Sequence, residues 1–139
     1  MLNKCEILDV DVWDEETGES DLIIKLKDNI QLKGFCIDEC EKAKEKEVFL
    51  SLFCKDYEIK DNIENFTSEI LNINDKYETK LQGKITSHVV SEEEGEYITV
   101  DCNGIFVTVF YDFEEKSNFT NKFFIGNGRL DIEIHEEEW

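Results

Sequence analysis

Apolar and polar residues alternate along most of this chain with the period of two that marks strands half buried against a core. In residues 5–13, Leu8, Val10 and Val12 alternate with Asp9 and Asp11. An acidic turn follows at residues 14–19, and the pattern returns as Leu22, Ile24 and Leu26 among Lys25 and Lys27. Asp28-Asn29 supplies turn chemistry before Ile30, Leu32 and the run Phe35-Cys36-Ile37, so the opening third predicts a β-meander. Residues 38–47 change character: Glu and Lys surround Ala43 with no β-branched residue, which predicts a short helix or an ordered loop, with at most one short helix near 39–46. Val48, Leu50 and Leu52 then alternate with Phe49, Ser51 and Phe53, a strand apolar on both faces, and residues 67–73 form a weaker one.

The second half runs through the same order. A strand at residues 85–90 leads to an acidic glycine turn at 92–96, and Ile98, Val100 and Cys102 alternate beyond it. Asn103-Gly104 is the strongest hairpin signal in the chain, because both residues tolerate positive φ, and Ile105, Val107 and Val109 continue the pattern. A polar loop at 114–121 takes the place of the first half's helix. Residues 123–125 and 130–134 then read as two strands around a Gly126-Asn127-Gly128 hairpin turn. Repetition at this scale outranks any single local reading. The expected fold is therefore mostly β: two consecutive small OB-like Greek-key barrels from an internal duplication, 1–75 and 81–139, connected by 76–80. The alternative is one antiparallel β-sandwich or barrel.

Composition narrows the function classes. At 40% hydrophobic and 12% aromatic residues the chain can build a core, which argues against disorder. Its 34 Asp and Glu against 15 Lys and Arg leave a formal charge of −19, a field that repels nucleic acid and anionic membranes and attracts basic proteins. No run approaches the roughly 20 apolar residues a membrane span needs, and the start of the chain turns charged before a signal sequence can form. Five cysteines, odd in number and mostly within strand-like runs, fit reduced buried thiols. The Lys, Asn, Ile and Glu bias, with Arg129 as the only arginine, suits a bacterial protein, and cytoplasmic placement is expected.

The chemistry-bearing residues form no catalytic set. His88 and His135 lie far from any nucleophile, so no triad and no enzyme is expected. Cys36 and Cys40 have a spacing zinc tolerates, but no second pair completes a site. The acidic clusters lack the ligand spacing of a calcium loop. No metal or cofactor is therefore expected. Gly126-Asn127-Gly128-Arg129 lacks both the third glycine and the following helix of a nucleotide-binding loop. Tyr97, Phe106, Phe110 and Tyr111 have no basic surround, which favours core or protein interface over base stacking.

The stretch from Val100 to Ile105, followed by Phe124 to Asp131, resembles the later strands of small bacterial OB-like proteins, a likeness confined to the last third. It implies a fold and no site residue. The expected function is a cytoplasmic acidic protein-binding module, of the immunity kind that neutralises a basic toxin or nuclease by electrostatic occlusion. Its partner-binding residues would be Asp14, Glu15, Glu16, Glu92, Glu93, Glu94, Glu96, Phe106 and Phe110. The alternative is a small-ligand-binding β-barrel using Arg129, His88 and Tyr97.

Overall fold

Strands form wherever the alternation is strict, and several run further than the apolar pattern alone implies. The computed structural model describes the chain except residues 1, 15, 18, 38, 39, 62, 65, 74–76, 92, 94, 112–117 and 136–139. In order come β1 (Asn3–Asp14), β2 (Glu19–Lys25), β3 (Gln31–Cys36), β4 (Ala43–Lys60), β5 (Glu69–Asn72), β6 (Glu78–Ser91), β7 (Gly95–Cys102), β8 (Ile105–Phe110) and β9 (Phe123–His135). A single 3-10 turn at Lys27–Asn29 joins β2 to β3, with Asp28 and Asn29 at positive φ. Among the described residues there is no α-helix, and hence none long and apolar enough to cross a membrane.

All nine strands belong to one sheet, in the order β1-β2-β3-β9-β4-β8-β7-β6-β5, and two further pairings, β1 with β4 and β9 with β6, bend it back on itself. One circuit runs β1-β2-β3-β9-β4 and returns to β1, and a second runs β4-β8-β7-β6-β9 and returns to β4. The two circuits share β4 and β9, which pair antiparallel from Glu47 opposite His135 to Lys60 opposite Phe123. Each circuit contains one parallel contact: β3 with β9 at Phe35 and Asp131, and β4 with β8 over residues 50–53 and 107–110. Pairing therefore crosses the 76–80 segment, and residues 78–80 themselves lie in β6.

Two local expectations are corrected. The short helix expected near 39–46 is absent from the described part of that segment: β4 starts at Ala43, with Ala43 opposite Ile7 and Lys46 opposite Cys5. Helix propensity is worth only tenths of a kcal/mol per residue, and pairing with β1 overrides it. Gly126-Asn127-Gly128 is not a hairpin turn; it lies inside the continuous strand β9. A β-carbon on Gly126 would sit 2.8 Å from the Asp56 carbonyl oxygen, and one on Gly128 would strike the Phe53 carbonyl. These glycines let β4 and β9 approach where a bulge at Cys54 and Asp56 shifts their register. The Asn103-Gly104 turn stands as expected, with φ of 51° and 87° between β7 and β8.

Inward-pointing residues of both circuits make one core cluster. Leu22, Ile24 and Leu32 come from the first, Ile85, Ile98 and Val107 from the second, and Leu50, Leu52 and Leu130 from the shared strands. All of these are at most 1% exposed. The shared strands thus bury apolar surface for both circuits, each such side chain contributing about 1.5–3 kcal/mol.

Candidate functional site

Because period-two strands send Leu50, Leu52, Val107, Val109 and Leu130 inward, their neighbours form an outward face across β7, β8, β4 and β9. Directly opposed residues line up in rows. In the first row Tyr97 stands opposite Phe110, Phe110 beside Phe53, and Phe53 opposite Arg129. Ring centroids are 5.8 Å apart for Tyr97 and Phe110 and again for Phe110 and Phe53, and the Arg129 guanidinium lies 4.8 Å from the Phe53 ring centre. Arg129 also reaches Phe35 of β3 at 5.8 Å, and Phe35 contacts Tyr77 at 6.0 Å. Phe53 is 47% exposed, so a side chain that would ordinarily be buried is open to solvent at the middle of this stripe.

The second row consists of Thr99, Thr108 and Ser51, ending at Asp131. Its three hydroxyl residues are nearly covered, at 8%, 5% and 8% exposure, because larger neighbours flank them. The third row is Asp101, Phe106, Phe49 and Glu133, the pairs Asp101–Phe106 and Phe49–Glu133 being opposed across strands. A trough floored by small hydroxyls thus runs between two aromatic rows, with carboxylates at its ends.

Hydrogen bonds fix the ends of this face. Asp131 accepts two hydrogen bonds from Arg129, at 2.8 Å from Nε and 2.9 Å from Nη2, which holds the guanidinium plane against the rings. Tyr77 donates its hydroxyl to Asp21, and Lys33 lies 3.6 Å from the same carboxylate. Burial, and next the hydrogen bond to Asp21, pushes the Tyr77 phenol up to about 12. Tyr77 also has a φ of 66°, an uncommon conformation for a bulky side chain and one that functional sites tend to retain.

The expected site residues separate into those on the face and those elsewhere. Phe106, Phe110, Tyr97 and Arg129 lie together on it. Glu15, Glu92 and Glu94 fall outside the described residues. Asp14 is half-buried and accepts the backbone N–H groups of Glu16 and Thr17, so it shapes its turn, while Glu16 and Glu93 are exposed. Glu96 and His88 point away from the trough and form a buried pair, 2.8 Å apart with side chains 11% and 4% exposed. The His88 Nδ1 accepts the Phe119 N–H at 3.2 Å, so the ring carries its proton on Nε2 and donates it to Glu96. The imidazole stacks on Phe119 at 4.8 Å, tying the 118–122 segment to β6. The residues that pattern reading missed are Phe35, Phe49, Phe53, Tyr77 and the three hydroxyls. Their only sequence signal is that Phe49, Ser51 and Phe53 occupy the outward positions of a strand apolar on both faces.

The remaining chemistry is structural. All five cysteines are free, with Cys5, Cys36 and Cys102 buried. Burial pushes the thiol of Cys54 up to about 12 and those of Cys5 and Cys102 to about 11, which keeps them protonated and poorly nucleophilic near neutrality. No group of three or more His, Cys, Asp or Glu side chains placed to hold a metal ion occurs among the described residues. No family model, curated protein or solved structure matches the chain.

Proposed function

We propose that the chain is a protein-binding module that docks an extended cationic segment of another protein on the outward face of β7, β8, β4 and β9. One observation carries this reading: two partly exposed aromatic rows, with Phe53 open to solvent, flank a hydroxyl-floored trough whose ends carry Asp101, Glu133 and Asp131. Aromatic rings supply large contact area at small entropic cost, as interface anchors do, and Phe53, 47% exposed, is the one most open to a partner. Carboxylates at the ends, within a chain of formal charge −19, favour a partner bearing Lys or Arg and speed its encounter. Occlusion of a basic toxin or nuclease, the immunity role, is one form of the same reading.

The connectivity supports a reading of the architecture as two OB-like units from a duplication. In each half, three meander strands are followed by a long strand, and the third strand runs parallel to the long strand supplied by the other half. That is the closure an OB barrel uses, with the last strands exchanged.

Peptide display against the immobilised protein tests the function. Selection should enrich Lys- and Arg-containing sequences whose binding weakens at least tenfold in Phe53→Ala and Phe110→Ala, and whose association slows as salt rises. Enrichment of acidic or uncharged peptides, or binding indifferent to both substitutions, would sink the proposal.

A further inference from the structure

On the outward face, two residues beyond Phe49 and Glu133, the row of Glu47 and His135 opens a different surface. A groove of about 870 Å³ lies there, and Lys4, Lys25, Lys27, Lys44 and Lys46 line it. They come from β1, β2, the 3-10 turn and β4, so the first circuit's closure, with β1 pairing β2 on one side and β4 on the other, brings them together. Five of the chain's 15 basic residues thus line one groove on a protein whose acids outnumber its bases by more than two to one.

Five lysines elsewhere, Lys33, Lys42, Lys60, Lys80 and Lys122, each hold a carboxylate at 3.0–3.9 Å, while Lys55 and Lys84 hold none among the described residues. Among the described residues none of the groove lysines has a carboxylate within 4.0 Å. That holds although Lys4 stands opposite Glu47 and Lys25 opposite Glu6, positions from which cross-strand pairs ordinarily close. Lys27 also reaches the β7–β8 turn, where its Nζ is the atom nearest to the position a β-carbon on Gly104 would take.

We infer that this groove binds a small, multiply charged phosphate compound. The inference does not depend on the docking face. Several ammonium groups lining one groove without carboxylate partners can meet several phosphate oxygens, and lysine acts on phosphate as a point charge needing no fixed plane. The volume lies within the range of small-molecule sites, and no Phe, Tyr or Trp lines it, His135 being the one aromatic ring in its lining. Glu6, Glu45 and Glu47, also in the lining, are acceptors for hydroxyl groups of the bound compound. Because the net charge of −19 repels anions at a distance, adhesion of phosphates elsewhere on the surface is suppressed and binding is confined to this groove.

Calorimetric titration of the full chain with inorganic tripolyphosphate tests this. One saturable site is expected. Replacing the exposed Lys27, Lys44 and Lys46 together by alanine should weaken it at least tenfold, while Lys60→Ala with Lys80→Ala should change it less than twofold. Amide shift mapping on the unaltered protein should confine the response to residues 4–6, 25–27 and 44–47, which keeps the test decisive even if the triple variant misfolds. ATP at equal affinity would mean that the phosphate chain alone is read, and tighter ATP binding that an organic phosphate is the natural source. Absence of saturable binding, shifts outside the groove, or equal weakening by the Lys60 and Lys80 variant would overturn the inference.

Discussion

One methyl group decides whether β9 can lie against β4. Gly128 has the Phe53 carbonyl oxygen where a side chain would begin, whereas Gly95, at φ +82°, has nothing within 4 Å of the same position. The two glycines serve different needs, and their substitution separates them. Gly128→Ala must push backbone away from backbone and should cost about 3 kcal/mol or prevent folding, in line with overpacked interiors. Gly95→Ala meets only the left-handed conformational penalty of about 1 kcal/mol. Urea denaturation of both variants checks this, and equal losses would show that the close approach at Gly128 is unimportant. The contrast also explains a misreading. Glycine flanking asparagine reads as a turn in sequence, because positive φ and close approach favour the same residue. Only the position of β4, more than 60 residues earlier in the chain, distinguishes them.

Strands here are held by side chains as well as by ladders. Asn3, 5% exposed, donates from Nδ2 to the Phe106 carbonyl at 2.8 Å and accepts the Phe106 N–H at 2.7 Å, so one amide replaces a strand partner for β8. Asn72 treats β3 in the same way, accepting the Lys33 N–H at 2.7 Å and donating to its carbonyl at 3.0 Å. Removing either amide leaves a backbone donor and acceptor without partners in a partly buried place, at roughly 1–3 kcal/mol. Asn3→Ala and Asn72→Ala should each lower stability by about 2 kcal/mol. Amide exchange should quicken at Phe106 in the first variant and at Lys33 in the second; unchanged protection would refute the clamp. Such clamps leave no periodic mark, since an asparagine at a strand end reads as a turn residue. The outward faces share that difficulty. Tyr97, Phe106, Phe110 and Arg129 stood out by residue type, but Phe53 and Phe49 gained meaning only once β8 and β9 were seen beside β4. The lysines of the groove are scattered from residue 4 to residue 46, and no spacing rule gathers them.

At the scale of the whole molecule, alternation made the β character legible because each strand's burial pattern is local. Which strands pair is not local. The meanders β1-β2-β3 and β6-β7-β8 follow from short turns, while the joining of β4 and β9 rests on pairing between residues 47–60 and 123–135. That pairing has a testable consequence. A chain ending before β6 lacks β9, so β3 loses its parallel neighbour and Leu50 and Leu52 lose the cover of Leu130 and Ile132. The complementary piece lacks β4 and leaves β8 with an open edge. Residues 1–73 and 77–139, prepared separately, should therefore each be largely unfolded by circular dichroism and cooperative melting, and mixing them should restore strand signal and one shared transition. Two units that fold independently would instead give two stable fragments whose mixture melts as the sum of its parts. Long-range pairing of this kind also imposes a high loop-closure cost before its contacts form, so the intact chain should refold more slowly than a local meander of its size. The refolding rate of the mixed fragments should in addition rise with their concentration, because the pairing of β4 with β9 becomes a bimolecular step.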